Sequence, residues 1–194
     1  MGRLYHISCP DCGYDKILDL GVGMFFPIVY KKTMQEAQEG NYGEAYKNFF
    51  LAHPDGAINA ERVIVKCTCC GDYDSVTDLS LYVPLGNVPE KRKDIPWTLC
   101  LPLSSEGCRT GRDLAKYYKK VITFQHCCKN CGGREKIFRT EEKNDDDDPP
   151  VFMRAVHRTQ TEVKEGLITR SHSDEPFICP NCKKNLNVRP GSWD

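Results

Sequence analysis

Residues 128–132 read CKNCG, and the same five-residue form stands at 9–13 as CPDCG, at 67–71 as CTCCG and, with lysine in the last place, at 179–183 as CPNCK. Two thiolates three positions apart meet at one ion only if the backbone folds into a tight turn. The residue after the second cysteine commonly needs a positive φ, which glycine reaches without steric cost. Gly13, Gly71 and Gly132 fill that place in three of the four turns, and Pro10 and Pro180 fix φ at the second position of theirs. Backbone amides in such turns face the sulfurs and support thiolate charge. Two turns supply the four donors of a closed tetrahedral site. Four turns therefore predict two sites, with Cys9, Cys12, Cys67, Cys70, Cys128, Cys131, Cys179 and Cys182 as ligands and Zn2+, two per chain, as the metal.

Composition agrees with that reading. No stretch approaches the roughly 20 apolar residues of a membrane span. The opening MGRLYHISCP has no apolar core with a small-residue cleavage site, so a cytoplasmic location and no membrane partner are expected. Twelve cysteines in a reducing compartment point to metal ligation rather than disulfides. A thioredoxin-like redox motif would open a helix after a strand, whereas short β-rich runs at 62–66, 121–125, 135–139 and 176–178 flank these turns. With 27 basic and 27 acidic residues there is no chain-wide field to hold nucleic acid, and a chain 40% hydrophobic and 28% charged is not disordered over most of its length.

Paired turns of this kind resemble the zinc-ribbon superfamily, in which two cysteine turns at hairpin tips clamp one zinc. The expected fold class is α+β, with two zinc-ribbon β units, the first carrying a helical-hairpin insertion at about 28–53. Residues 1–95 form the first domain. Residues 96–194 form the second, a helix plus a ribbon with an acidic flexible loop at about 141–150. Pairing in chain order, Cys9/Cys12 with Cys67/Cys70 and Cys128/Cys131 with Cys179/Cys182, lets each half build its own core and is the expected arrangement. Its rival joins Cys67/Cys70 with Cys128/Cys131 and leaves the terminal turns to meet each other. Loop closure separates the two by only about 1 kcal/mol. Cys127 stays open as an alternative to Cys128, and Cys69 also adjoins ligands. Cys100 and Cys108 read as small buried apolar residues. The turns together with GVGMFFP at 21–27 are also similar to small zinc-ribbon proteins of bacterial genomes, a likeness that implies no activity. The CPDCG and CPNC forms resemble rubredoxin too, which implies iron and one-electron transfer as an alternative.

Between the turns, 14–20 reads as a return strand. In GVGMFFP, Met24, Phe25 and Phe26 either plug the core or form an exposed loop for a partner. Residues 28–39 predict a helix ended by Gly40. Asn41 and Glu44 stand in capping-box register ahead of a second helix, whose Tyr42, Ala45, Tyr46, Phe49 and Phe50 mark one buried face. His53 reads as a helix-end residue, 72–83 as strand or loop, and 84–96 as a linker. Leu114, Tyr117, Tyr118 and Val121 give a third helix begun near Thr110.

Charge is uneven along the chain. Residues 96–140 carry nine Lys or Arg against three acids, and 141–150 carry one Lys against six acids. Arg109, Arg112, Lys116, Lys119, Lys120, Lys129, Arg134 and Lys136 are either a solvated face or a surface for nucleic acid, with Tyr117 and Tyr118 available to stack on bases. No catalytic residue is expected, because a closed four-cysteine site leaves no place for water. The histidines, His6, His53, His126, His157 and His172, form no metal pattern, though His6 and His126 stand beside cysteine turns. The expected function is that of a non-enzymatic zinc-binding adaptor, the candidate partners being nucleic acid, a nucleic-acid-handling complex or another protein, with no small-molecule substrate evident.

Overall fold

A computed structural model describes residues 2–23, 25–86, 88, 107–140 and 175–193. Its elements lie within one unit, Met1–Glu141 with Phe177–Asp194. Strands β1 (Gly2–Ser8) and β2 (Asp15–Leu20) form an antiparallel hairpin with the first cysteine turn at its tip. Helices α1 (Phe26–Glu39) and α2 (Glu44–Ala52) follow, then β3 (Ala57–Ile58), β4 (Arg62–Cys67), β5 (Tyr73–Thr77) and β6 (Leu81–Pro84). Helix α3 (Gly111–Tyr117) runs directly into β7 (Tyr118–Ile122), and β8 (Glu135–Arg139) and β9 (Asn187–Trp193) complete the chain. Three helices and nine strands in three sheets make the described residues α+β.

Two of the three sheets share one plan. In each, a strand enters a cysteine turn, a second returns from it, and a third leaves the other turn of the site. One sheet is ordered β2-β1-β9 and the other β5-β4-β8, all neighbours antiparallel. Register makes the correspondence close: Ser8 at the end of β1 faces Asn187 at the start of β9, and Cys67 at the end of β4 faces Glu135 at the start of β8. These sheets draw on strands from both sides of residue 95, as does the third, β3-β6-β7.

Strand β4 lies at the centre of its sheet, and Val63, Ile64 and Val65 are consecutively buried. Such an unbroken apolar run marks a strand covered on both faces. An aromatic cluster, with Tyr73 touching Phe138 and Phe177, lies beside Ile7, Leu18 and Leu20 in the same core. A second core gathers Phe26, Tyr30, Tyr46, Phe49 and Phe50 from the helices against Ile58 and Leu81.

The helical insertion forms where expected, and Gly40 stops α1 in the left-handed conformation at φ 88°. The Asn41–Glu44 capping box does not form: Gly43 is the N-cap of α2 and no side chain caps it. Tyr42 instead turns its hydroxyl back to the Glu36 carboxylate on α1, which holds the connecting turn and delays the helix. Tyr46, Phe49 and Phe50 are buried as their spacing predicts, but Ala45 is exposed. The third helix is shorter than expected. Thr110 caps it through a full capping box with Asp113, yet from Tyr118 the chain pairs with β6, so Tyr118 and Val121 belong to a strand. His53 does end α2, and Cys108 is buried beside the Pro27 carbonyl. Most of the expected linker at 84–96, the acidic loop at 141–150, and Met24, Cys100, His157 and His172 lie outside the described residues.

The GVGMFFP segment divides its aromatic pair. Phe26 is 4% exposed within the helical core, whereas Phe25 is 53% exposed. Phe26→Ala is accordingly expected to lower the unfolding free energy by about 3 kcal/mol in chemical denaturation, and Phe25→Ala to change it by less than about 0.5 kcal/mol. Equal losses at the two positions would contradict this burial.

Candidate metal centres

The four cysteine turns are built alike. In each, the N–H of the first cysteine donates to the carbonyl five residues on (Tyr14, Asp72, Gly133 and Lys184), and its own carbonyl accepts from the N–H four residues on (Gly13, Gly71, Gly132 and Lys183). That fourth residue has positive φ throughout: 71°, 79° and 70° at the glycines and 62° at Lys183. The last turn thus holds a lysine in a conformation costly for any residue bearing a Cβ, with its ammonium donating to the Pro180 carbonyl at 2.6 Å.

The turns meet in the nested arrangement, not in chain order as expected. Cys9, Cys12, Cys179 and Cys182 form an outer cluster, and Cys67, Cys70, Cys128 and Cys131 an inner one, with the sulfurs of each within 4.8 Å of one another. The cause is strand pairing. Because β9 pairs with β1 and β8 with β4, the fourth turn is delivered to the first and the third to the second. A further bridge flanks each late turn, Cys127 with Arg134 and Ile178 with Asn185. The open choice at the third turn resolves to Cys128, which is buried in the inner cluster, while Cys127 and Cys69 are exposed.

A four-sulfur tetrahedron around an ion at about 2.3 Å has edges of about 3.8 Å. Cys9 and Cys182 stand at 3.4 Å, Cys12 and Cys179 at 3.4 Å, Cys67 and Cys131 at 3.5 Å, and Cys70 and Cys128 at 3.7 Å. The donor set and its spacing fit a thiophilic cation, so these two groups could hold metal ions.

Electrostatics points the same way. The Cys70 and Cys69 N–H groups donate to Cys67 Sγ at 3.5 and 3.3 Å and pull its thiol down to about 6. At Cys179, burial opposes ionisation, but the amides of Cys182 and Asn181 prevail and bring it likewise to about 6. For Cys70, the Asp72 amide and burial oppose each other, and the crowding sulfurs of Cys131, Cys67 and Cys128 drive it up to about 12. Cys182 goes up to about 11: its Lys184 amide contact lowers it, while Cys9, burial and Cys179 outweigh that contact. Each cluster thus favours the thiolate of one cysteine, Cys67 or Cys179, and opposes that of another, Cys70 or Cys182, an opposition that a bound cation would reverse.

The clusters are joined through Asp72, next to Gly71 in the second turn. One Asp72 oxygen accepts from the Tyr14 hydroxyl at 2.7 Å, and the other from Lys16 Nζ at 2.7 Å and from Asn130 of the third turn. Burial works to raise the Asp72 pKa, but the Lys16 and Tyr14 hydrogen bonds hold it below the ordinary carboxylate value. One carboxylate therefore ties residues beside the outer cluster to the inner one. Asp72, Tyr14 and Asn130 escaped the sequence reading because their only signal is adjacency to cysteine turns. His6 and His126 make other contacts: His6 pairs with Asp15 at 2.7 Å, and His126 reaches the Asp78 carbonyl at 3.2 Å.

The basic residues fall in two groups. Arg112, Lys116, Lys119 and Lys120 are exposed on α3 and β7, while Arg109 is half-buried and donates to the Tyr118 hydroxyl at 3.0 Å. Lys129, Arg134 and Lys136 lie around the third turn and β8, with Lys129 paired to Asp74 at 2.8 Å. Tyr118 is buried against Leu114 and Tyr82, which removes it as a stacking surface. Tyr117 is half-buried with Lys116 lying over its ring. No described helix is long and apolar enough to cross a membrane. No protein-family model, curated protein or solved structure matches the chain.

Gly133 tests the inner centre selectively. A Cβ there would fall 2.7 Å from Cys69 Cβ and 3.2 Å from both Cys131 Sγ and Cys67 Sγ. Gly133→Ala is expected to cut metal retention at the inner cluster on the order of tenfold or more while sparing the outer one. Competition with a chelator checks this, and unchanged retention of both ions would contradict it.

Proposed function

We propose that this chain is a non-enzymatic binding module in which two structural zinc ions hold a small α+β scaffold. The cations along α3 and β7 would meet the phosphates of a nucleic acid. The zinc assignment rests on donor chemistry: eight thiolates in two closed sets of four suit zinc and leave no coordination position for water or substrate. Such an ion orders the chain and activates nothing. The outer set would take Cys9, Cys12, Cys179 and Cys182, and the inner set Cys67, Cys70, Cys128 and Cys131.

The observation that carries the partner assignment is the exposure of one short basic segment that is unpaired among the described residues. Arg112, Lys116, Lys119 and Lys120 are exposed, and none of them forms an ion pair among the described residues. Lys116 and Lys120 lie over the rings of Tyr117 and Tyr82, at 5.1 and 5.5 Å from the ring centres. That placement steadies the side chains without neutralising them. Cations held this way release counterions when phosphates replace water, giving affinity that depends steeply on salt.

A second reading has its own observation. Phe25, Ile28 and Val29 are 53%, 47% and 43% exposed and lie three and four positions apart at the start of α1, on one helical face. An apolar stripe of this kind suits a protein partner instead.

Binding to mixed-sequence oligonucleotides, followed by fluorescence anisotropy, separates the readings. The nucleic-acid proposal predicts affinity falling at least about tenfold between about 50 and 200 mM salt, and a comparable loss in the triple variant Arg112→Glu, Lys116→Glu, Lys120→Glu. Affinity indifferent to both salt and charge reversal would overturn it.

A further inference from the structure

The two clusters differ in their surroundings. The outer one is made of four cysteines with no spare thiol in its turns. The inner one has two additional cysteines beside or within its turns, Cys69 and Cys127, both exposed. Of these, Cys69 sits against the cluster. Its Cβ and the sulfurs of Cys131 and Cys67 lie 2.7, 3.2 and 3.2 Å from the single point that a Cβ on Gly133 would occupy. Cys69 Cβ is thus within about 6 Å of Cys131 Sγ, and no side chain stands between them at that point, since the residue there is glycine. A disulfide places its two Cβ atoms about 3.8 Å apart, so joining the sulfurs takes side-chain rotation together with a shift of the exposed turn, along a path that the glycine leaves open. Cys131 is itself exposed, unlike Cys128 and Cys67. The chain is anchored beside its opposite strand one residue before Cys69: the Thr68 N–H and hydroxyl both donate to the Arg134 carbonyl, at 2.9 Å each.

We propose that Cys69 and Cys131 form an oxidation site that empties the inner metal centre while leaving the outer one loaded, with a hydroperoxide as the oxidant. The proposal rests on the reading that both clusters hold metal. The Cys69 thiol gives up its proton and its sulfur attacks the peroxide, breaking the O–O bond. This forms the sulfenic acid at Cys69 and, with that proton, one water. The Cys131 thiolate then attacks the Cys69 sulfur. The S–O bond breaks, and the departing hydroxide takes a proton from solvent to give a second water. Two electrons pass from the two sulfurs to hydrogen peroxide, and one disulfide and two waters result. With Cys131 withdrawn, only Cys67, Cys70 and Cys128 would remain to hold an ion there, and the centre would no longer be closed.

The experiment treats purified metal-loaded protein with hydrogen peroxide and follows released metal with a chromogenic chelator. Native mass spectrometry counts the ions retained, and peptide mapping locates the disulfide. The expected result is loss of one ion of the two, together with a Cys69–Cys131 disulfide. In Cys69→Ser, release should slow on the order of tenfold, whereas Cys127→Ser should behave as the wild type. Release from Cys69→Ser at the wild-type rate, first loss from the outer cluster, or a disulfide mapped to Cys127 would each overturn the proposal. Protein that holds no metal before oxidation would overturn the underlying metal reading instead, so the two failures are distinguishable.

Discussion

Four sulfurs brought within 4.8 Å of one another are the constraint from which the rest of this structure follows. Thiolates at that spacing repel, and two thiols of the inner cluster respond oppositely: the turn amides bring Cys67 down to about 6, while burial and neighbouring sulfurs push Cys70 up to about 12. A thiophilic cation would convert this conflict into a clamp, since structural sites of this kind contribute roughly 10–16 kcal/mol of apparent binding energy. That is comparable with the whole net stability of a domain.

The clusters lie where they do because strands deliver the turns in register. The outer cluster joins cysteines near the beginning and end of the chain, and β1 with β9 runs away from it as a ladder starting at Ser8 and Asn187. The inner cluster repeats the plan with β4 and β8. Asp72 then links the two: its oxygens take hydrogen bonds from Tyr14 and Lys16 on one side and Asn130 on the other. Gly71, next to it, lies close to Pro180 of the fourth turn, within 3.8 Å of the position its own Cβ would take. Three of the four turns contribute directly to this junction. The aromatic group around Tyr73, Phe138 and Phe177 lies in the core the two sheets share.

The turns themselves were legible, because their chemistry is local. Cysteine spacing, the glycine after it and the proline within it specify a five-residue conformation that needs no distant partner. Helix α1 and its Gly40 stop, the buried stripe of α2, and β2, β4 and β8 were legible for the same reason. The pairing of turns was not. It depends on β9, whose sequence NVRPGSW carries Pro190 and Gly191 and hardly resembles a strand. Proline is tolerated there because β9 lies at the edge of its sheet. Loop entropy gave no help, since it grows only logarithmically with length. The turn from α3 into β7 was missed because Tyr117, Tyr118 and Val121 suit a helix locally, and only pairing with β6 makes them otherwise. Asp72 could not be weighed before its three partners, distant in sequence, were placed beside it.

Nesting is tested most directly by a paired substitution that touches both terminal turns at once. Cys12→Ser with Cys182→Ser places both changes in one cluster of the nested arrangement, whereas chain-order pairing would place one in each. Native mass spectrometry of this double variant is therefore predicted to find one metal ion per chain where the wild type has two. Loss of both ions, with the variant still folded by circular dichroism, would contradict the account.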